Sequence, residues 1–145
     1  MKVEIIHTNL TLNLYGLSGI ALNKDYSGTA FKLMDKMWKA VKSQQLKNKG
    51  MNSWVFDNNE MVFAGVELDL LPDQDTGLEH KVIDLSRYAY FKHIGPYNLI
   101  KQAGDNMRAE LRNMGLKTCL PYVEIYGHWT KDETKLETEL LMSLL

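Results

Sequence analysis

The spacing of apolar residues switches between period two and helical period along the chain, and the switches mark out its elements. Val3, Ile5, Leu10, Leu12 and Leu14 alternate with Glu4, Thr11 and Asn13, which predicts one strand, or two joined by an irregularity at residues 7–9, with Gly16 and Gly19 as breaks. From about Gly28 to Leu46, Phe31, Met34, Met37, Trp38 and Val41 recur at helical spacing, with Ser27 or Thr29 as N-cap and Gly50 closing the connection. Ser53–Phe56 and Met61–Leu70 flank Asp-Asn-Asn-Glu, whose residues tolerate the left-handed backbone of a tight turn, so they read as a hairpin. Leu71 to Gly77 is the strongest loop signal, and Leu78 to Leu85 alternates again.

The second part repeats this order. Arg87–His93 reads as a strand, and Gly95-Pro96 opens a helix where the missing proline N–H costs nothing. Leu99, Ile100, Ala103, Met107, Leu111 and Met114 form that helix's stripe, and Gly115 ends it. Tyr122–Trp129 and Leu136–Leu144 follow as strands joined by a polar turn at residues 130–135. The expected architecture is one α+β domain over residues 1–145 with pseudo-repeats at about 1–70 and 78–145. Its duplicated β-α-β-β halves form an antiparallel sheet with two long helices on one face. Each helix has one apolar stripe and a half-buried sheet is covered once, so the seam between halves is expected to open a ligand cleft on the other face.

On the late strand Tyr122, Glu124 and Tyr126 share one face while Val123 and Ile125 share the other. An acid between two aromatics suggests a pocket; a solvated outer face is the competing explanation. Trp54 and Phe56 share a face of their own strand, and by pseudo-symmetry with Tyr122 and Tyr126 they are expected near the same cleft.

Composition narrows the class. Hydrophobic residues make up 45% and charged residues 24%, as in ordinary globular proteins. With 17 Lys and Arg against 18 Asp and Glu, the broad basic footprint of a nucleic-acid binder is missing, and Lys42, Lys47 and Lys49 read as solvated residues after a helix. Cys119 is the sole cysteine, no secretory signal is evident, and no apolar stretch approaches the roughly 18 residues of a membrane span, so a cytoplasmic location without membrane association is expected. His7, His80, His93 and His128 have no ligand-like spacing, so no metal is expected. His93 reads as a hydrogen-bonding residue at a sheet end.

Tyr88-Ala-Tyr90-Phe-Lys-His93-Ile-Gly-Pro-Tyr97, Pro121-Tyr-Val-Glu124-Ile-Tyr126 and Phe63-Ala-Gly-Val-Glu67-Leu68, in the duplicated order, resemble the gyrase-inhibitor-like (GyrI-like) small-molecule-binding family. That family includes effector-binding domains of AraC-type and MerR-type multidrug regulators and is related in fold to SOUL haem-binding proteins. The resemblance implies an aromatic pocket between the halves with Glu124 at its floor. Tyr122, Tyr126, Tyr97, Tyr90 and Trp38 join Trp54 and Phe56 as candidate ligand-binding residues, although Trp38 on a helix stripe also reads as core. No helix-turn-helix or coiled coil precedes these motifs, so the regulator role is not carried over, and the final strand lacks the family's usual proline. Haem is not expected, because that relation is at fold level and no histidine is placed by a motif; no cofactor is expected.

A carboxylate among aromatics suits a hydrophobic compound that can be cationic, since ring faces add about 0.5 to 2 kcal/mol each to cation binding. Desolvation raises the pKa of such a carboxyl, while tyrosine hydroxyls or a bound cation lower it. Two further functions use the same chain. A hydrolase of strained cyclopropane-type rings would employ Glu124 to activate water and Tyr126 or Tyr97 as proton donor, and a gyrase-inhibitor-like module would act on a protein partner.

Overall fold

The alternation at the N-terminus resolves into two strands, β1 (Glu4–Ile6) and β2 (Leu10–Ile20), in a computed structural model that describes residues 1–70 and 74–145. Strand β2 runs through both glycines instead of breaking at them. A Cβ at Gly16 would collide with the Ala64 carbonyl of the neighbouring strand, so glycine there permits close approach. Helix α1 (Tyr26–Ser43) begins before Ser27 and Thr29, because the Asp25 carboxylate caps it by accepting from the Gly28 N–H at 3.1 Å. Its buried stripe is Ala30, Met37 and Val41; Phe31, one step round the helix, is 60% exposed.

The hairpin is formed by β3 (Asn48–Phe56) and β4 (Met61–Leu68), with Asn59 and Glu60 in the left-handed region of its turn. Of the expected loop after it, Leu71, Pro72 and Asp73 lie outside the described residues. The chain continues with β5 (Glu79–Leu85), β6 (Tyr88–Ile94), a 3-10 turn at Tyr97–Leu99, α2 (Ile100–Asn113), β7 (Thr118–Tyr126) and β8 (Glu137–Leu144). Leu99 and Met114 fall just outside α2 and are exposed. Strand β7 also ends earlier than its aromatic pattern suggests. Gly127 leaves it and donates to the Glu137 carbonyl at 2.9 Å, which puts Trp129 in a connection spanning 127–136. Among the described residues no helix is long and apolar enough to cross a membrane.

All pairings are antiparallel, in one eight-stranded sheet of order β1-β6-β8-β7-β3-β4-β2-β5. The halves meet where β3 pairs with β7. The leading strand of each half is exchanged: β1 adds to the outer edge of the second half, and β5 to the outer edge of the first.

Both helices lie on one face. Helix α1 packs over β2 and β4, while α2 packs over β6 and β8 through Ile100, Ala103, Met107 and Leu111. The central strands β3 and β7 therefore form a strip between the helices, a groove in outline. The opposite face, where the cleft is expected from sequence, is instead closed. Leu12, Leu14, Val55, Phe63, Ile83, Leu85, Tyr88, Val123 and Leu141 form a continuous buried cluster there. Among the described residues no helix residue belongs to this cluster, which joins the outer strands β2, β5 and β6 to the central β3 and β7, as twist and curl of a large sheet allow. Burying those residues at about 25 cal/mol per Å² of apolar surface favours that closure.

Candidate functional site

Register determines what faces the groove. Directly opposed residues on antiparallel neighbours point the same way, so Trp54, Glu124 and Leu140 form one row across β3, β7 and β8. Phe56, Tyr122 and Met142 form the row on one side, and Asn52, Tyr126, Thr138 and His93 the row on the other. Because Leu140 and Met142 pack with α2, these three rows lie on the helix-bearing face. Glu124 thus looks between the helices and not away from them.

The two tyrosines lie two residues before and after Glu124, the spacing at which a pleated strand returns a side chain to the same face. Tyr122 donates its hydroxyl to Glu124 Oε2 at 2.7 Å, and Tyr126 donates to Oε1 at 2.6 Å. Glu124 is 8% exposed, so these charge-assisted bonds act away from bulk water. Burial first, and then the Glu124 carboxylate, push both phenol pKa values far above 10.0. Both tyrosines therefore keep their protons and act as hydrogen-bond donors to the carboxylate. Among the described residues no Lys, Arg or His forms an ion pair with Glu124.

Rings enclose this trio. Trp54 lies 4.8 Å from Tyr126, and Tyr97 meets Tyr126 edge-on at 5.6 Å. Phe56 stacks on Tyr122 at 5.7 Å and touches Tyr26 of α1 edge-on. From α2, Arg108 places its guanidinium 5.4 Å from the centre of the Tyr122 ring, with Asp105 at 3.6 Å. Three buried polar atoms in these rows, Asn52 Oδ1, Trp54 Nε1 and Thr138 Oγ1, have no hydrogen-bond partner among the described residues.

Of the candidates named from sequence, Glu124, Tyr122, Tyr126, Tyr97, Trp54 and Phe56 are brought together. Tyr90 and Trp38 are not. Tyr90 points to the helix-free face, where its hydroxyl donates to Glu139 at 2.6 Å. Trp38 packs with Met37, Val41, Leu46 and Val66 in a separate apolar cluster. Tyr26 and Arg108 were not anticipated; Arg108 follows the buried Met107, and that boundary position on the α2 stripe is the only sequence signal for it. His93 is a hydrogen-bonding residue whose Nε2–H donates to the Pro96 carbonyl at 3.0 Å. Lys49 is paired with Glu67 at 2.8 Å. Among the described residues no His, Cys, Asp and Glu side chains gather in a group able to hold a metal ion.

Neither a protein-family model nor a curated protein sequence matches the chain. Solved structures do. The C-terminal domain of EcmrR superposes with a TM-score of 0.73 at 15% identity, covering 100% of this chain and 99% of that one. SAV2435, solved bound to tetraphenylphosphonium, gives 0.69 at 15% identity and 100% and 94% coverage. A hydrolase from Listeria innocua gives 0.58 at 13% identity and 99% and 92% coverage. At such identities the likeness is one of fold, and the fold is GyrI-like.

Proposed function

We propose that this protein binds hydrophobic organic cations in the groove between its helices, with Glu124 as counter-charge and Trp54, Phe56, Tyr97, Tyr122 and Tyr126 as aromatic walls. One observation carries the reading: a nearly buried carboxylate is held by two hydroxyl donors and forms no ion pair among the described residues. Buried charges in folded proteins are ordinarily paired. Hydroxyl donors orient a carboxylate without neutralising it, which leaves its attraction for a desolvated cation in place. The unpartnered Trp54 Nε1 and Asn52 Oδ1 add a donor and an acceptor for polar atoms of the same ligand. Binding of tetraphenylphosphonium by SAV2435, which shares the fold, supports this ligand class.

Calorimetric titration tests it. Glu124→Gln is expected to weaken tetraphenylphosphonium binding by about tenfold or more, the scale of a hydrogen-bonded charge interaction, and to change binding of neutral triphenylphosphine oxide by less than about twofold. Equal losses for both compounds would sink the counter-charge role.

A hydrolase of strained rings is the second reading, favoured by two phenol hydroxyls bonded to one carboxylate. Glu124 would position water, and Tyr126 would donate a proton to the leaving carbon. Unchanged cyclopropane-containing substrate after prolonged incubation would remove this reading for that compound.

A further inference from the structure

Beside the groove, at the start of α2, lies a hollow of about 310 Å³ lined by Pro96, Tyr97, Trp129 and Leu136, with Lys131 and Glu133 also on its walls. We infer that it is an outer subsite, taking the flat aromatic end of an extended ligand whose cationic end lies at Glu124; the second half of that statement rests on the proposed function. Its volume is at the lower end of small-molecule sites, roughly 300 to 1,000 Å³.

The wall is built, not frayed. The connection 127–136 is fastened at both ends, by Gly127 N–H to the Glu137 carbonyl at 2.9 Å and by Gly95 N–H to the Leu136 carbonyl at 2.8 Å. Inside it, Asp132 accepts from the backbone N–H and the hydroxyl of Thr134 at 3.0 and 2.6 Å, capping a 3-10 turn at Glu133–Lys135. At its start, His128 rests against β3, so close that a side chain at Gly50 would strike its ring. On this fastened segment Trp129 is nonetheless 70% exposed, and Tyr97 beside it is 40% exposed. Large aromatics held in solvent around a concave surface mark a binding surface. The hollow adjoins the Glu124 cluster through Tyr97, which lines it and meets the ring of Tyr126, whose hydroxyl holds Glu124. The corresponding connection in the first half, residues 57–60, is a tight turn that could build no such wall.

The ligand class follows from the lining. Tyr97 and Trp129 offer π-faces or edges to a planar ring system, and Lys131 and Glu133 balance each other in charge, so this end of the ligand is aromatic and neutral. The test uses trimethylammonium ions bearing a naphthyl group on linkers of increasing length, titrated against wild type, Trp129→Ala and Glu124→Gln. The loss caused by Trp129→Ala is expected to grow from none with the shortest linker to roughly threefold to tenfold with a long one. In protein labelled with 5-fluorotryptophan, neutral 2-naphthalenemethanol is expected to shift the Trp129 fluorine resonance, assigned by its loss in Trp129→Phe. A loss independent of linker length, together with no Trp129 shift, would overturn the subsite. Short cations insensitive to Glu124→Gln, with the Trp129 shift retained, would leave the aromatic hollow standing and remove the counter-charge reading instead.

Discussion

At the seam the two halves present the same strand to the same groove with opposite equipment. The first half contributes Asn52, Trp54 and Phe56 from β3; the second contributes Tyr122, Glu124 and Tyr126 from β7, and Trp54 stands directly opposite Glu124. The charge and both phenol donors come from one side, and an indole face and a phenyl ring come from the other. The repeated order of elements thus serves as a frame, while the side-chain chemistry at the seam is asymmetric across it. The same asymmetry extends outward, to a fastened connection carrying Trp129 in the second half and a tight turn in the first.

The largest consequence of placing both donors in one half is alkaline sensitivity. Tyr122 and Tyr126 keep their protons above pH 10.0 while the unfolded chain loses them, so the unfolded state binds fewer protons there and stability falls as pH rises. Each should contribute a slope of about 1.4 kcal/mol per pH unit above that point. Denaturant unfolding between pH 8 and about 12 should show the slope reduced in the Tyr122→Phe, Tyr126→Phe double variant; an unchanged slope would break the comparison.

A smaller effect should come from the first half. Trp54→Phe is expected to weaken binding of tetraphenylphosphonium by about twofold to fivefold through a poorer ring face. Its cost in unfolding free energy should stay within about 1.5 kcal/mol, because the indole N–H has no partner among the described residues to lose. A loss as large as that of Glu124→Gln would show that the halves share the charge recognition.

The smallest change sharpens the picture from α2. Arg108 lies over the Tyr122 ring, so it is a resident cation on a surface an incoming cation would use. Arg108→Gln should tighten tetraphenylphosphonium binding by about twofold and leave triphenylphosphine oxide unaffected, both measured by calorimetry. Weaker cation binding in this variant would reverse the sign assigned to Arg108.

Local order was readable in the sequence because it depends on neighbours along the chain. Period two placed Tyr122, Glu124 and Tyr126 on one side of β7, and helical spacing located both helices, with errors at their ends and where adjacent residues compete. Asp25 outcompetes Ser27 and Thr29 for the cap, and Ala30 takes the buried position expected of Phe31. Which way the Glu124 face points was not readable. It depends on the curl of the whole sheet, set by pairings between residues far apart, such as Glu4 with Tyr90 and Leu10 with Leu85. Tyr90 fell on the wrong side for the same reason, since the register of β6 with β8 turns it toward Glu139. Trp129 mimicked the continuing alternation of β7, but Gly127 had already taken the chain away.

The exchange of β1 and β5 gives the sheet a mechanical character. Each half is clasped by a strand from the other, and the face behind the groove is a close-packed cluster containing Val55, Phe63, Val123 and Leu141. Prying β3 from β7 to widen the groove would therefore squeeze or tear a dry interior that resists changes in volume. The floor behaves as a stiff anvil. Under the proposed function, accommodation of guests of different size would fall to the parts standing on it: the rotamers of Tyr122, Tyr126 and Trp54 and the tilt of α1 and α2.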